Sequence, residues 1–242
     1  MTYCVALKLN AGLVLLSDTR TNAGLDNIAT YRKMFFFEEP GERVIAIMTA
    51  GSLSVTQTTI SRLCEAIEDP DADERTSIMR CPTMLGVADI VGDALARTRR
   101  EIATQCADLK QSQATASMIV AGQRVGGDMR LFLVYPEGNH IEATEDTPYL
   151  QIGEHKYGKP ILDRVVTPAT SLEDAQKAAL LSMDSTMKSN LSVGMPLDLA
   201  VIERDACRVS AKRRIMPADA QFSAMSDAWS EALRDAFVKM PI

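Results

Sequence analysis

Apolar residues come first in short continuous runs. Tyr3 to Leu9 and Leu13 to Thr19 have strand length, and Asn10-Ala11-Gly12 between them is turn chemistry, so the chain is predicted to open with a β-hairpin. A second hairpin is predicted from Lys33 to Glu38 and Arg43 to Ala50, across Glu39-Pro40-Gly41-Glu42. The period then changes. After Gly51, with Ser52 as N-cap, Leu53, Ile60, Leu63, Cys64 and Ile67 recur at roughly three- and four-residue spacing, which predicts a helix ending near Asp69-Pro70. Pro82 to Leu109 carries a longer stripe through Val87, Val91, Leu95 and Ile102, with Arg97, Arg99, Arg100 and Glu101 turned outward.

Strands resume at Ser117 to Gly122 and Met129 to Tyr135, on either side of Gly126-Gly127-Asp128, with shorter ones near Asn139 to Ala143 and Tyr149 to Ile152. Ser171 caps a predicted helix that runs to about Ser189, and strands follow at Leu197 to Arg204 and Cys207 to Lys212. Pro217 opens a last helix, residues 218–239, with Phe222, Met225, Trp229, Leu233 and Phe237 on one face. No composition shift divides the chain, so one domain over residues 1–242 is expected. Hairpins imply antiparallel pairing, and helices arriving in pairs between them imply an α+β layered fold rather than alternating βαβ units.

Composition narrows the function classes. With 46% hydrophobic and 24% charged residues among 242, and a mean hydropathy of -0.03, the chain has the make-up of an ordinary folded protein. Its net charge of -6 repels a phosphate backbone, and the longest basic run is Lys212-Arg213-Arg214, so nucleic acid is not expected as a partner. Five cysteines, Cys4, Cys64, Cys81, Cys106 and Cys207, are odd in number and contain no CxxC pair. Neither a disulfide framework nor a cysteine-based metal site is expected, and reduced thiols fit a cytoplasmic location. The N-terminus lacks a basic leader region, and no apolar run approaches the ~20 residues of a membrane helix, so neither export by a signal peptide nor membrane insertion is expected.

The candidate chemistry sits at the start of the chain. Gly153 to Lys159 fits a G-x4-G-K phosphate loop, but Pro160 stands where a magnesium-binding hydroxyl is required and removes a backbone donor, so the match is read as chance, with Pro160 starting a helix. His140 and His155 are the only histidines, and neither HExxH nor GxSxG occurs, so zincin and serine-triad chemistry lack their parts. No metal and no cofactor is expected. Thr2 offers a different solution, because removal of Met1 would leave its hydroxyl beside its own free amine. An α-amine titrates near 7.7 to 8.0, where a general base works best at neutral pH. On position alone Thr2 could equally be no more than a small residue that lets Met1 be removed.

Downstream residues change the odds. Ser17-Asp18-Thr19-Arg20 ends the second strand, Lys33 begins the third, and Ala50-Gly51-Ser52 joins the fourth to a helix. This order resembles the N-terminal-threonine proteases of the proteasome β-subunit type. It extends to Gly153, to Leu191-Ser192-Val193-Gly194 and to the strand pair beyond, and so covers most of the chain. The motif SDTRTNAG, the stretch YGKPILDR and the C-terminal helix are most similar to the Anbu (bacterial ancestral β-subunit) family, with HslV a near relative.

The resemblance implies a four-layer αββα N-terminal-nucleophile hydrolase sandwich with two antiparallel sheets. It implies Thr2 as nucleophile, Asp18 and Lys33 as charged partners, the Gly51 N–H as oxyanion donor, and Ser192 and Ser189 in support. It places Thr21, Tyr31, Phe35, Thr49 and Leu53 around the substrate pocket, a mixture suited to small or apolar side chains. Lys33 would favour an alkoxide-like Thr2 and disfavour the protonated amine, and Asp18 would keep Lys33 charged and aimed. Two positions depart from the family pattern: Glu154 stands where a serine usually follows glycine, and Ser189 stands where an aspartate usually precedes Ser192 by three.

The expected activity is that of a threonine-type endopeptidase acting on peptide or unfolded protein through an acyl-enzyme on Thr2. The expected assembly is a homo-oligomeric ring or ring-like spiral, with an ATP-dependent unfoldase partner left open. An amidohydrolase of small amides and a non-catalytic ring or scaffold subunit are the competing readings, since fold and nucleophile alone do not separate them.

Overall fold

The structure is a computed structural model and describes residues 2–22, 28–105 and 115–241. It opens with strands β1 (Tyr3–Leu9), β2 (Gly12–Asp18), β3 (Arg20–Asn22), β4 (Ile28–Thr30), β5 (Met34–Glu39) and β6 (Arg43–Gly51). Helices α1 (Leu53–Glu68) and α2 (Met84–Gln105) follow, then β7 (Ala116–Arg124), β8 (Arg130–Val134), β9 (His140–Glu142) and β10 (Tyr149–Gly153). Helices α3 (Lys159–Val165) and α4 (Leu172–Ser189), strands β11 (Leu197–Glu203) and β12 (Ala211–Ile215), and helix α5 (Ala220–Lys239) complete the order.

The strands form two five-stranded sheets, ordered β10-β1-β2-β11-β12 and β5-β6-β7-β8-β9, with β3 and β4 as a separate ribbon. All pairings are antiparallel.

Side-chain alternation along each strand builds the layers. In β1, Tyr3, Val5 and Leu7 pack with Ala175, Ala179 and Met183 of α4. Cys4 and Ala6 point the other way and meet Ala46, Met48, Ile119 and Ala121 of the second sheet. On that sheet's far face, Ile45 and Ile47 pack with Val55 of α1 and with Val87 and Val91 of α2. Period two on both sheets therefore gives helix, sheet, sheet, helix, the αββα sandwich. Because both faces of β1, β2 and β6 are covered, these strands read in the sequence as continuous apolar runs and not as an apolar–polar alternation.

Several boundaries differ from the expectation, each for a local reason. The strand placed at Cys207 to Lys212 begins only at Ala211, because Asp205 and Cys207 adopt left-handed φ values of 64° and 46° and lengthen the turn. The ribbon β3–β4 carries too few apolar residues to stand out in the sequence. Ser52 occupies the N-cap of α1 but makes no side-chain capping bond, its Oγ lying 3.1 Å from that of Ser54. Ser171 does cap α4, accepting from the Asp174 N–H at 3.1 Å. The last helix is capped by Asp219, three residues short of the Phe222 N–H that it accepts at 2.9 Å, so Pro217 lies outside it. The expected end of the second long helix, Leu109, and Cys106 lie outside the described residues. The other four cysteines are free.

Leu15 lies wholly buried in the layer between the sheets, where no loop can close over a vacated space. Leu15→Ala is expected to lower unfolding stability by about 2 to 5 kcal/mol, measured by urea titration. A loss below about 1 kcal/mol would mean that the two sheets can close on each other when volume is removed.

Candidate active site

The antiparallel pairing of β1 with β2 runs Cys4 against Ser17, which brings the next residue of β2, Asp18, beside the start of β1. There the Tyr3 N–H donates to Asp18 Oδ1 at 3.1 Å. The carbonyl of Thr2 accepts the Glu154 N–H at 2.7 Å, which pins the residue from the opposite side. That bond needs a glycine at position 153, whose φ is +83° and where a Cβ would stand 1.9 Å from the Thr2 oxygen. Thr2 is thus fixed by its main chain on both flanks while only 8% of its surface is exposed.

Lys33 enters from the residue ahead of β5. Its Nζ donates to Asp18 Oδ1 at 2.7 Å and to the Arg20 carbonyl at 2.6 Å, and its own carbonyl accepts the Thr49 N–H at 2.9 Å. The second carboxylate oxygen of Asp18 accepts the Gly194 N–H at 3.3 Å. Burial pushes the Asp18 carboxyl up from its ordinary value, and Lys33 and the two backbone donors oppose that push. One buried carboxylate therefore gathers three donors from three separate segments.

Gly51 ends β6 with φ at +112°, and a Cβ there would lie 2.4 Å from the Thr115 carbonyl. Thr49 donates its N–H toward the β5 side, and Ser52 donates its own to Thr115 on the β7 side at 2.8 Å. By strand parity the Gly51 N–H points as that of Thr49 does, toward an edge where β5 has not yet begun. It is left facing the site instead of a ladder partner.

Thr2, Lys33 and Gly51 line one cavity of about 330 Å³ together with Thr21, Phe35, Thr49 and Leu53. Arg32, Ser52, Thr56 and Gln57 line it as well and were missed in the sequence, although Thr56 and Gln57 follow Leu53 at the i+3 and i+4 spacing of one helix face. Tyr31, expected in the pocket, is 39% exposed and lies outside this lining, while its neighbour Arg32 is in it.

Among the supporting residues, Ser192 lies in the loop before Gly194 with its N–H on Asn190 Oδ1 at 2.9 Å. Ser189 is exposed at the last turn of α4 and is not among the residues lining the Thr2 cavity. That loop is instead held by Arg20, whose Nη1 donates to the Leu191 carbonyl at 2.9 Å. A Cβ on Gly194 would lie 2.3 Å from the Arg20 Cζ, so the guanidinium lies directly over the loop. The signal for Arg20 was its place two residues after Asp18.

Behind the site, Tyr3 Oη shares a hydrogen bond with Ser182 Oγ at 2.6 Å and accepts from Gln151 Nε2 at 2.5 Å. Burial pushes the Tyr3 phenol up, so it stays neutral. A Cβ on Gly158 would lie 2.1 Å from Ser182 Oγ. Gly153 and Gly158 thus serve close backbone approach, and Lys159 Nζ is held by Asp163 at 2.7 Å and Tyr149 Oη at 2.9 Å, which accounts for the phosphate-loop spacing without a phosphate. His140 bonds to Asp89 and His155 to the Gly153 carbonyl. Among the described residues no group of three or more His, Cys, Asp or Glu side chains could hold a metal ion. No described helix is long and apolar enough to cross a membrane.

The family model for the proteasome subunit matches residues 2–202. The chain is similar to the Anbu ancestral β-subunit of Yersinia bercovieri, with 40% identity, a TM-score of 0.91 and coverage of 99% of this chain and 98% of that one. It is also similar to an Anbu mutant (Gly-1) from Hyphomicrobium sp. strain MC1, with 48% identity, a TM-score of 0.93 and coverage of 100% and 99%. A helical assembly of the Anbu complex from Pseudomonas aeruginosa matches at 42% identity and a TM-score of 0.91, covering 99% of this chain and 97% of that one. A search of the curated proteins found no match. The chain belongs to the proteasome-subunit family, within its Anbu branch.

Proposed function

We propose that the chain is a threonine-type endopeptidase that cleaves peptide bonds through an acyl-enzyme on Thr2, after Met1 has been removed. The observation that carries the reading is the Asp18 carboxylate, which joins the start of β1, Lys33 and the Gly194 loop beside a cavity lined by Thr2 and Gly51. The freed amine of Thr2 takes the proton from Thr2 Oγ as the oxygen attacks the scissile carbonyl. The Gly51 N–H stabilises the developing oxyanion. The same amine then protonates the leaving amine, and water, deprotonated by the amine in turn, releases the acyl group. Lys33, held by Asp18 and the Arg20 carbonyl, supplies positive charge that favours the Thr2 alkoxide and disfavours the protonated amine.

We further propose a homo-oligomer acting on peptide or unfolded protein. The support is α5, on which Phe222 is the only residue buried in the chain itself, while Leu233, Phe237 and Val238 stand exposed. The helical assembly of the Pseudomonas aeruginosa relative points the same way. Light scattering is expected to give a mass of several protomers, and a 26.4 kDa species that is fully active when dilute would contradict the homo-oligomer.

Intact-mass measurement of active protein is expected to find Met1 absent, and Thr2→Ala is expected to abolish peptide hydrolysis while the assembly stays folded. Full retention of Met1 in active protein, or turnover unchanged by Thr2→Ala, would sink the mechanism.

The pH dependence separates the amine from Glu154, whose side chain stands where the family has serine. With the amine as base, kcat/KM rises with pH through one ionisation at or below about 7.7 to 8.0, because the Lys33 charge disfavours the protonated amine. Glu154→Gln should leave that limb in place. A limb several units lower that vanishes in Glu154→Gln would assign the base to the carboxylate.

A further inference from the structure

Arg32 stands apart from every other cation around the site. It lines the Thr2 cavity and also an adjoining cavity of about 250 Å³, where Lys212, Arg213 and Arg214 of β12 line the wall. Each of those three is engaged. Lys212 pairs with Glu38 at 3.2 Å and lies 4.2 Å over the Phe36 ring. Arg213 pairs with Asp219 at 2.8 Å, and Arg214 with Asp198 at 3.5 Å. Lys33, the other cation of the Thr2 cavity, is buried and committed to Asp18 and the Arg20 carbonyl. Arg32 is exposed and, among the described residues, makes no hydrogen bond and no ion pair.

Among the described lining residues only Asp198 offsets it, and Asp198 is shared with Arg214. Among the described residues, the Thr2 cavity has no carboxylate in its wall and the adjoining one has only Asp198. Asp198 is half-buried, and burial pushes its carboxyl up while first Arg214 and then Arg32 oppose the push. A free guanidinium at the junction of two cavities is suited to a carboxylate, which it can grip with two parallel N–H bonds.

We propose that Arg32 selects peptides bearing an acidic side chain close to the scissile bond, with the carboxylate held at the junction of the two cavities. This rests on reading the Thr2 cavity as a peptide site and names its substrate class. It also replaces the expectation of small or apolar side chains, which assumed that Tyr31, not Arg32, faced the cavity.

The test separates binding from chemistry. Fluorescently labelled pentapeptides in which a single Glu is moved through each position, each matched to a Gln counterpart, are titrated into assembled Thr2→Ala protein at low and at high salt. At one position Glu is expected to bind about 5- to 10-fold more tightly than Gln, with the gap closing at high salt. Arg32→Gln on the same background should bring the two peptides level, and Arg32→Lys should retain part of the gap. Equal affinities at every position, a gap that survives Arg32→Gln, or no binding by any peptide would overturn the proposal. Turnover by protein that retains Thr2 is measured separately. Absent turnover beside an intact, Arg32-dependent gap would defeat the peptidase reading and leave this one standing.

Discussion

The geometry of the site depends on one buried carboxylate. Asp18 accepts from the Tyr3 N–H, Lys33 Nζ and the Gly194 N–H, three donors from three separate segments. With side-chain exposures of 6% for Lys33 and 0% for Asp18, removing one partner strands the other charge away from water, a loss of about 3 to 5 kcal/mol. The sandwich supplies the burial that makes the arrangement exacting. β1 and β2 are covered by α4 on one face and by the second sheet on the other, so no solvent is at hand to replace a lost partner.

Glycines complete the constraint by letting backbones approach where a side chain could not fit. Gly153 admits the Glu154 N–H to the Thr2 carbonyl, and Gly51 turns the end of β6 so that its N–H faces the cavity. With its main chain fixed on both flanks, Thr2 is held as the proposed reading requires of a nucleophile whose own amine serves as base. Arg20 extends the same logic one loop outward: its carbonyl receives Lys33, and its guanidinium holds the loop that presents Gly194. Tyr3, Ser182 and Gln151 secure the reverse face of the same strand end.

The layered fold was legible because continuous apolar runs of strand length give way to period-3.6 stripes, and because turn residues separate them. Thr2, Asp18, Lys33 and Gly51 could be singled out only as an ordered set that resembles a family, since each alone is an ordinary residue; the structure brings the four to one place. What the sequence concealed lies at one-residue scale. Arg32 and not Tyr31 lines the cavity, a difference of one residue that the sequence pattern does not resolve. The turn before β12 hid for a similar reason, since left-handed φ at Asp205 and Cys207 has no strong residue signature. Ser189 was placed by spacing along the chain, whereas exposure at the end of α4 is decided by how that helix packs.

An electrophile that requires a hydroxyl and a free amine on one residue, such as a peptidyl epoxyketone, tests the central claim directly. Reacted with processed wild-type protein and with Asp18→Asn, and followed by peptide mapping with intact mass, it reports both the site and the rate of capture. The account predicts a single adduct on Thr2, formed about 10²-fold or more slowly in a folded Asp18→Asn assembly. An adduct on another residue, or capture at equal rates in the two proteins, would contradict it.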